Sequence, residues 1–201
     1  MIYIVIGSLG FLIIHLLDIA SLKRVPGAKP LTWILGSGLL AYSLIMVCLA
    51  PDKLPLPIWS TWLGWALLSV SLFLLIYSLF ITLPFRKTYI TTGVGDKLIT
   101  TGLYALVRHP WVHCFTLLLL SLILVSRSSL LLIASPIWIL LDIVLVVVQD
   151  KFFFGSMFDD YDHYRKKTPM LVPNRGSINA FINCLKRAIA WNLNLKEEKI
   201  K

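Results

Sequence analysis

The chain has 201 residues, of which 58% are hydrophobic and only 14% charged, with a mean hydropathy of +0.82. Soluble domains run nearer half apolar and a quarter charged, so the composition argues against a soluble enzyme, a disordered tail or a disulfide scaffold and for an integral membrane protein. The net charge of +9, from 19 Lys and Arg against 10 Asp and Glu, then reads as an orientation signal, and no Arg-rich helix or zinc spacing points to nucleic acid.

A helix needs about 20 apolar residues to cross a bilayer. Five stretches meet or approach that length: Ile2 to Leu17, Leu31 to Ala50, Ile58 to about Phe85, Pro110 to Ser126, and about Ser128 to Gln149. The first has no basic leader and no small-residue cleavage site, so it is expected to be a retained anchor. The expected fold is all-α and multi-pass, with about five transmembrane helices. Three segments are distinguished: residues 1–85 with the first three spans, 86–173 with the last two and the polar motifs, and a basic tail, 174–201. Cys48, Cys114 and Cys184 are widely spaced and read as free thiols, with no disulfide or metal pattern.

Sorting basic residues by loop predicts the topology. With five spans, all the Lys and Arg except Lys53 and Arg127 fall on one side. That side is expected to be cytoplasmic, placing the C-terminus inside and the N-terminus outside. The last two spans are joined only by about Ser126 to Ser129, which makes them an antiparallel helical hairpin. The segment entering the fourth span, Gly102 to Pro110, should then lie at the same depth as the segment leaving the fifth, Gln149 to Tyr164. In the tail, Ile178, Phe181, Ile182, Leu185 and Ile189 recur at helical spacing opposite Asn179, Asn183, Lys186 and Arg187. This predicts an amphipathic helix on the membrane surface or against the bundle, with anionic lipids as partners.

Two polar constellations carry the candidate chemistry. In the first, Gly102 to Pro110, Pro110 suits the first turn of a helix. Arg108 and His109 then sit at a helix N-terminus that favours an anion, and Arg adds a fork fitted to carboxylate or phosphate. The second, Gln149 to Arg165, gathers Asp150, Asp159, Asp160 and Asp162 among aromatic residues that can hold an adenine or face a cation. Asp142 lies seven residues before Gln149 and is expected on the same helix face, lining a tunnel or bonding a neighbouring helix. His15 and Asp18 are expected to pair locally. Gly93-Val94-Gly95 follows no strand and is no dinucleotide fingerprint.

The run Gly102, Tyr104, Arg108-His109-Pro110, an apolar hairpin, then Phe154-Gly155, Tyr161, Tyr164-Arg165 and Pro169 to Pro173 resembles the isoprenylcysteine carboxyl methyltransferase family and the wider group of phospholipid N-methyltransferases. The resemblance covers roughly Leu98 to Pro173. It implies a membrane-embedded, S-adenosylmethionine-dependent methyltransferase acting on a lipophilic substrate that enters from the bilayer, the candidate acceptors being a prenylcysteine carboxylate, a phospholipid amine and a small lipophilic thiol. By that resemblance Gly102, Tyr104, Arg108, His109, Pro110, Gln149, Asp150 and Tyr161 bind the cofactor, with Arg108 and Asp150 the catalytic pair and no metal. Arg108 is expected on the cofactor's carboxylate and Asp150 on its ribose hydroxyls or amino group. The chain departs from the family pattern at Gln149-Asp150, where the family commonly has Glu-Glu, and at Val112, where it often has an aromatic residue. An NADPH-dependent reductase of the sterol type and a non-catalytic membrane scaffold are the alternatives.

Overall fold

The computed structural model describes residues 1–95 and 97–198, with side chains as far as residue 190. The protein is all-α: no strand forms among the described residues, only a single antiparallel bridge between Lys53 and Ser128. Among the described residues, four helical stretches are long and apolar enough to cross a membrane: Ile2–Leu22, Ala28–Cys48, Ile58–Ile81 and Ser129–Met157. The first two are α1 (Ile2–Leu22) and α2 (Ala28–Cys48); the third is α3 (Ile58–Ile76) prolonged by a π-helical turn. A short α4 (Leu103–Leu106) precedes α5 (Pro110–Ser126), which has 17 residues and extends about 26 Å. Then come α6 (Ser129–Val148), a π turn (Gln149–Phe153), α7 (Phe154–Met157), α8 (Tyr161–Lys167) and α9 (Arg175–Glu198).

The helix ends differ from the hydropathy windows in an informative way. α1 runs five residues beyond Leu17, through Asp18 to Leu22, because backbone bonding continues where hydropathy falls. α2 begins at Ala28, three residues ahead of the apolar run, behind Gly27 at φ 72°, a left-handed conformation that suits glycine. α5 and α6 form the expected hairpin across only Arg127 and Ser128. Arg127 closes α5 at φ 55°, and the Ser128 hydroxyl caps α6 by accepting from the Leu131 N–H at 3.2 Å.

Packing is close where residues are small. α1 lies on α2 and α3 on α5, while α6 touches α1, α2 and α5. A Cβ on Gly36 would meet Ile14 Cγ1 at 2.6 Å and the Gly10 carbonyl at 2.8 Å. The two backbones therefore approach as small residues allow in membrane helices. Phe11 meets Phe115 edge-on at 5.3 Å, and Trp138 donates from Nε1 to the Ile4 carbonyl at 3.3 Å. These contacts fasten α1 to both arms of the hairpin.

The two ends of the bundle are distinct. At one, the α2–α3 loop meets the hairpin tip: Leu54 N–H donates to Arg127 O at 2.6 Å, and Ser129 N–H to Asp52 O at 3.1 Å. Lys53 and Arg127 are there. At the other, Lys29 donates to Gly93 O at 2.9 Å, and Arg108 reaches the carbonyls of Arg165 and Thr168. The remaining basic residues of the loops and of α8 cluster at this end; Lys199 and Lys201 lie outside the described residues. α9 starts with a reciprocal cap in which Ser177 N–H donates to Asn174 Oδ1 at 2.8 Å and Asn174 N–H to Ser177 Oγ at 3.1 Å. It rests against α4, where Gly102 N–H donates to Cys184 Sγ at 3.3 Å. Ile178, Ile182, Leu185 and Ile189 remain exposed, whereas Phe181 is half-buried.

Candidate functional site

The polar chemistry gathers at the basic end. Arg108, ahead of α5, and Asp150, in the π turn after α6, form a two-point pair: Nε to Oδ1 at 2.7 Å and Nη2 to Oδ2 at 2.9 Å. Nη1 donates twice more, to Arg165 O at 3.0 Å and Thr168 O at 2.6 Å. The cation thereby sits on the last carbonyls of α8, where the helix dipole favours it. Nε and Nη2 each donate once and Nη1 twice, so one Nη2–H remains for another acceptor. Asp150 is 8% exposed and also accepts from the Tyr161 hydroxyl, with His109 Nε2 at 3.5 Å.

This alters the part each residue can take. The resemblance implies Arg108 and Asp150 as separate cofactor ligands, yet they are mainly each other's ligand. The pair joins the approach to α5 to the exit from α6 and leaves little free fork on either side.

His109 is 1% exposed and stacks on Phe154 with ring centroids 5.6 Å apart. Burial holds its imidazole below the ordinary pKa, opposed by the nearby Asp150. Burial first, and the Asp150 carboxylate second, push the Tyr161 phenol above its ordinary value. Tyr104 donates to Ser78 O at 3.1 Å and its carbonyl accepts from Tyr164 at 2.6 Å. Backbone bonds from Arg108 N–H to Pro169 O and His109 N–H to Met170 O, at 2.9 and 3.2 Å, lock the same segment.

In front of this network lies a cavity of about 440 Å³, within the range of small-molecule sites. Tyr104, Arg108, His109, Gln149 and Tyr161 line it; Asp150 stands behind Arg108, outside the lining. Gly102 and Pro110 are also outside it. Gly102 turns the chain at φ 61° into α4, and Pro110 opens α5 beside a smaller pocket of about 170 Å³. Asp142, fully buried in α6, neither lines the large cavity nor has a hydrogen-bond partner among the described residues, so it meets neither expectation drawn from its spacing.

The opposite wall comes from the first two helices, which sequence reasoning left without chemistry. His15, Asp18 and Ser21 of α1, and Lys29, Trp33 and Ser37 of α2, face the cavity. Gln149 Nε2 donates to Asp18 Oδ2 at 2.7 Å, and His15 Nδ1 is 3.6 Å from the same oxygen. Adjacent helical residues point about 100° apart, so Gln149 turns to α1 while Asp150 turns to Arg108. An amide suits Gln149 because it donates to Asp18; a carboxylate there would oppose one. The available signal was two ionisable residues three apart within an apolar span. The inner reach of the cavity, at Phe11, Leu40, Leu44, Leu75 and Leu118, is apolar.

No protein-family model, curated protein or solved structure matches this chain. Among the described residues no group of His, Cys, Asp or Glu is placed to hold a metal ion.

Proposed function

We propose that the protein is an integral-membrane methyltransferase that uses S-adenosylmethionine to methylate a lipophilic acceptor. The observation that carries this reading is the meeting of the Arg108-His109 segment and the Gln149–Tyr161 segment on one cavity that continues into an apolar recess. The residues fit the cofactor's chemistry. The remaining Arg108 Nη2–H and the Asp18 carboxylate can meet a carboxylate and an ammonium group. Tyr161, Phe154, Trp33 and Tyr89 offer ring faces for an adenine or a sulfonium cation.

When bound, the cofactor supplies a methyl group already activated by its sulfonium. The protein's contribution is then to position, to exclude water and to shape the field. Arg108 and Asp150, neutralising each other, brace the two segments so that Tyr161, His109 and Gln149 hold their places. The apolar recess takes the acceptor's hydrocarbon chain, which enters sideways from the bilayer. The basic end faces the cytoplasm, with the N-terminus outside. The exposed apolar residues of α9 dip into the same leaflet while Lys186 and Arg187 meet anionic headgroups.

The experiment is transfer of labelled methyl from S-adenosylmethionine into a membrane lipid extract by purified protein. Wild type is expected to label an extractable product and Arg108→Ala to fall at least about a hundredfold, as a collapsed site would. Equal labelling by both, or none by wild type, overturns the reading.

A further inference from the structure

The α1 wall of the cavity carries a histidine, His15, that takes no part in holding the cofactor. His15 projects from the second half of α1, one turn before Asp18, with its side chain 11% exposed. Both ring nitrogens are buried, and neither has a hydrogen-bond partner among the described residues. An imidazole buried without a partner forgoes hydrogen bonds that water would provide. Here it faces a cavity large enough for a ligand. Three features give it direction. Asp18 lies 3.6 Å from Nδ1, within ion-pair reach but not hydrogen-bonded, so a carboxylate stands ready to meet a proton delivered to the ring. Gln149 holds Asp18 through the 2.7 Å bond, so the carboxylate is anchored from α6. Trp111, with its ring centroid 6.5 Å from that of His15, flanks the imidazole from α5. Nδ1 lies on the Asp18 side; Nε2, buried and without a partner among the described residues, is the nitrogen whose hydrogen bond is unmade.

We infer that His15 is the proton acceptor for the group that the cavity's ligand presents, with Asp18 and Gln149 as its positioning residues. The ligand class follows: a lipophilic molecule whose reacting heteroatom carries a removable proton, such as a thiol, an acidic phenol or an ammonium group, rather than a carboxylate that is already ionised. The heteroatom–hydrogen bond breaks, the proton passes to His15 Nε2, and the electron pair stays on the heteroatom as the nucleophile. The imidazolium so formed is met by Asp18, and the proton later leaves to water. This rests on the methyltransferase reading for its purpose but not for its test. Among the described residues, the other titratable groups bordering the cavity are Asp18 on α1, Lys29 on α2, Lys97, Tyr89 and Tyr104 between α3 and α5, Arg108 and His109 before α5, and Tyr161 and Tyr164 on α8. Arg108 is paired with Asp150, and Lys29 with carbonyls.

The test uses the full chain in detergent, without methyl donor, and a long-chain alkyl nitrophenol whose ionised form absorbs visible light. Bound to wild type, the probe is expected to ionise about one pH unit or more below its value in empty micelles, about a tenfold change in the ionised ratio. His15→Gln should abolish the shift, and Asp18→Asn should reduce it while the probe still binds. An unshifted probe on wild type, a shift that persists in His15→Gln, or no binding at all overturns the assignment; the wild-type measurement decides even if a variant fails to fold. A shifted probe with no methyl transfer from S-adenosylmethionine leaves the proton acceptor standing and removes the methyltransferase reading.

Discussion

Arg108 is 9% exposed and carries its charge into the cavity wall because Asp150 is already there to meet it. Removing one partner of a buried pair leaves an uncompensated charge and costs about 3–5 kcal/mol. Arg108→Ala and Asp150→Ala should each lower the unfolding midpoint in detergent by on the order of 10 °C, and a midpoint within about 1 °C of wild type would contradict the pairing. At His109 the expected signature is pH dependence. Its folded pKa is depressed by burial, so the unfolded chain, with a value near about 6.5, takes up the proton first as pH falls. Stability is therefore full above about pH 6.5 and declines below it, by up to about 1.4 kcal/mol per pH unit. His109→Gln should lose that part of the decline between pH 7 and pH 5, measured by thermal unfolding; identical slopes would contradict it. Gln149→Glu sets a second carboxylate against Asp18, and Asp18→Asn should relieve it. The double-mutant cycle is expected to give a coupling of about 0.5–3 kcal/mol, and strict additivity would count against the contact.

At the scale of helices, close approach makes the sharpest forecast. Gly36→Ala drives a methyl into Ile14 and the Gly10 carbonyl and should cost about 1–3 kcal/mol. Gly38→Ala, on the same helix with nothing within 4 Å, should be neutral or stabilising. Equal effects, read as unfolding midpoints, would mean that α1 and α2 are not in contact at Gly36. This scale also marks how much the sequence tells. The hairpin was legible because Ser126 and Ser129 are too near for anything but a tight reversal between apolar runs, and Pro110 announced the start of α5. The convergence of Arg108 with Asp150 followed from that reversal. The His15–Asp18 wall did not, because hydropathy reports that α1 is buried in lipid or protein but not which helix it touches. The Gln149–Asp18 bond joins residues 131 positions apart, a pairing made by packing alone. Arg108 and Asp150 spending their hydrogen bonds on each other was equally invisible, since a motif names residue types and not their partners.

For the whole molecule, one end holds the basic loops, the cavity and α9, while the other holds Lys53 and Arg127. Single cysteines in a cysteine-free background should therefore react with an impermeant thiol reagent from the cytoplasmic side at residue 166 and from the outer side at residue 52; the reverse pattern would invert the proposed orientation. A cofactor in the cavity is what the proposed methyl transfer requires above all. Calorimetric titration of the purified full-length protein with S-adenosylmethionine tests this most directly, with NADPH titrated in parallel. Saturable one-to-one binding of S-adenosylmethionine is expected, weakened at least about tenfold by Asp18→Asn, with no heat from NADPH. Binding of NADPH with none of S-adenosylmethionine would contradict it.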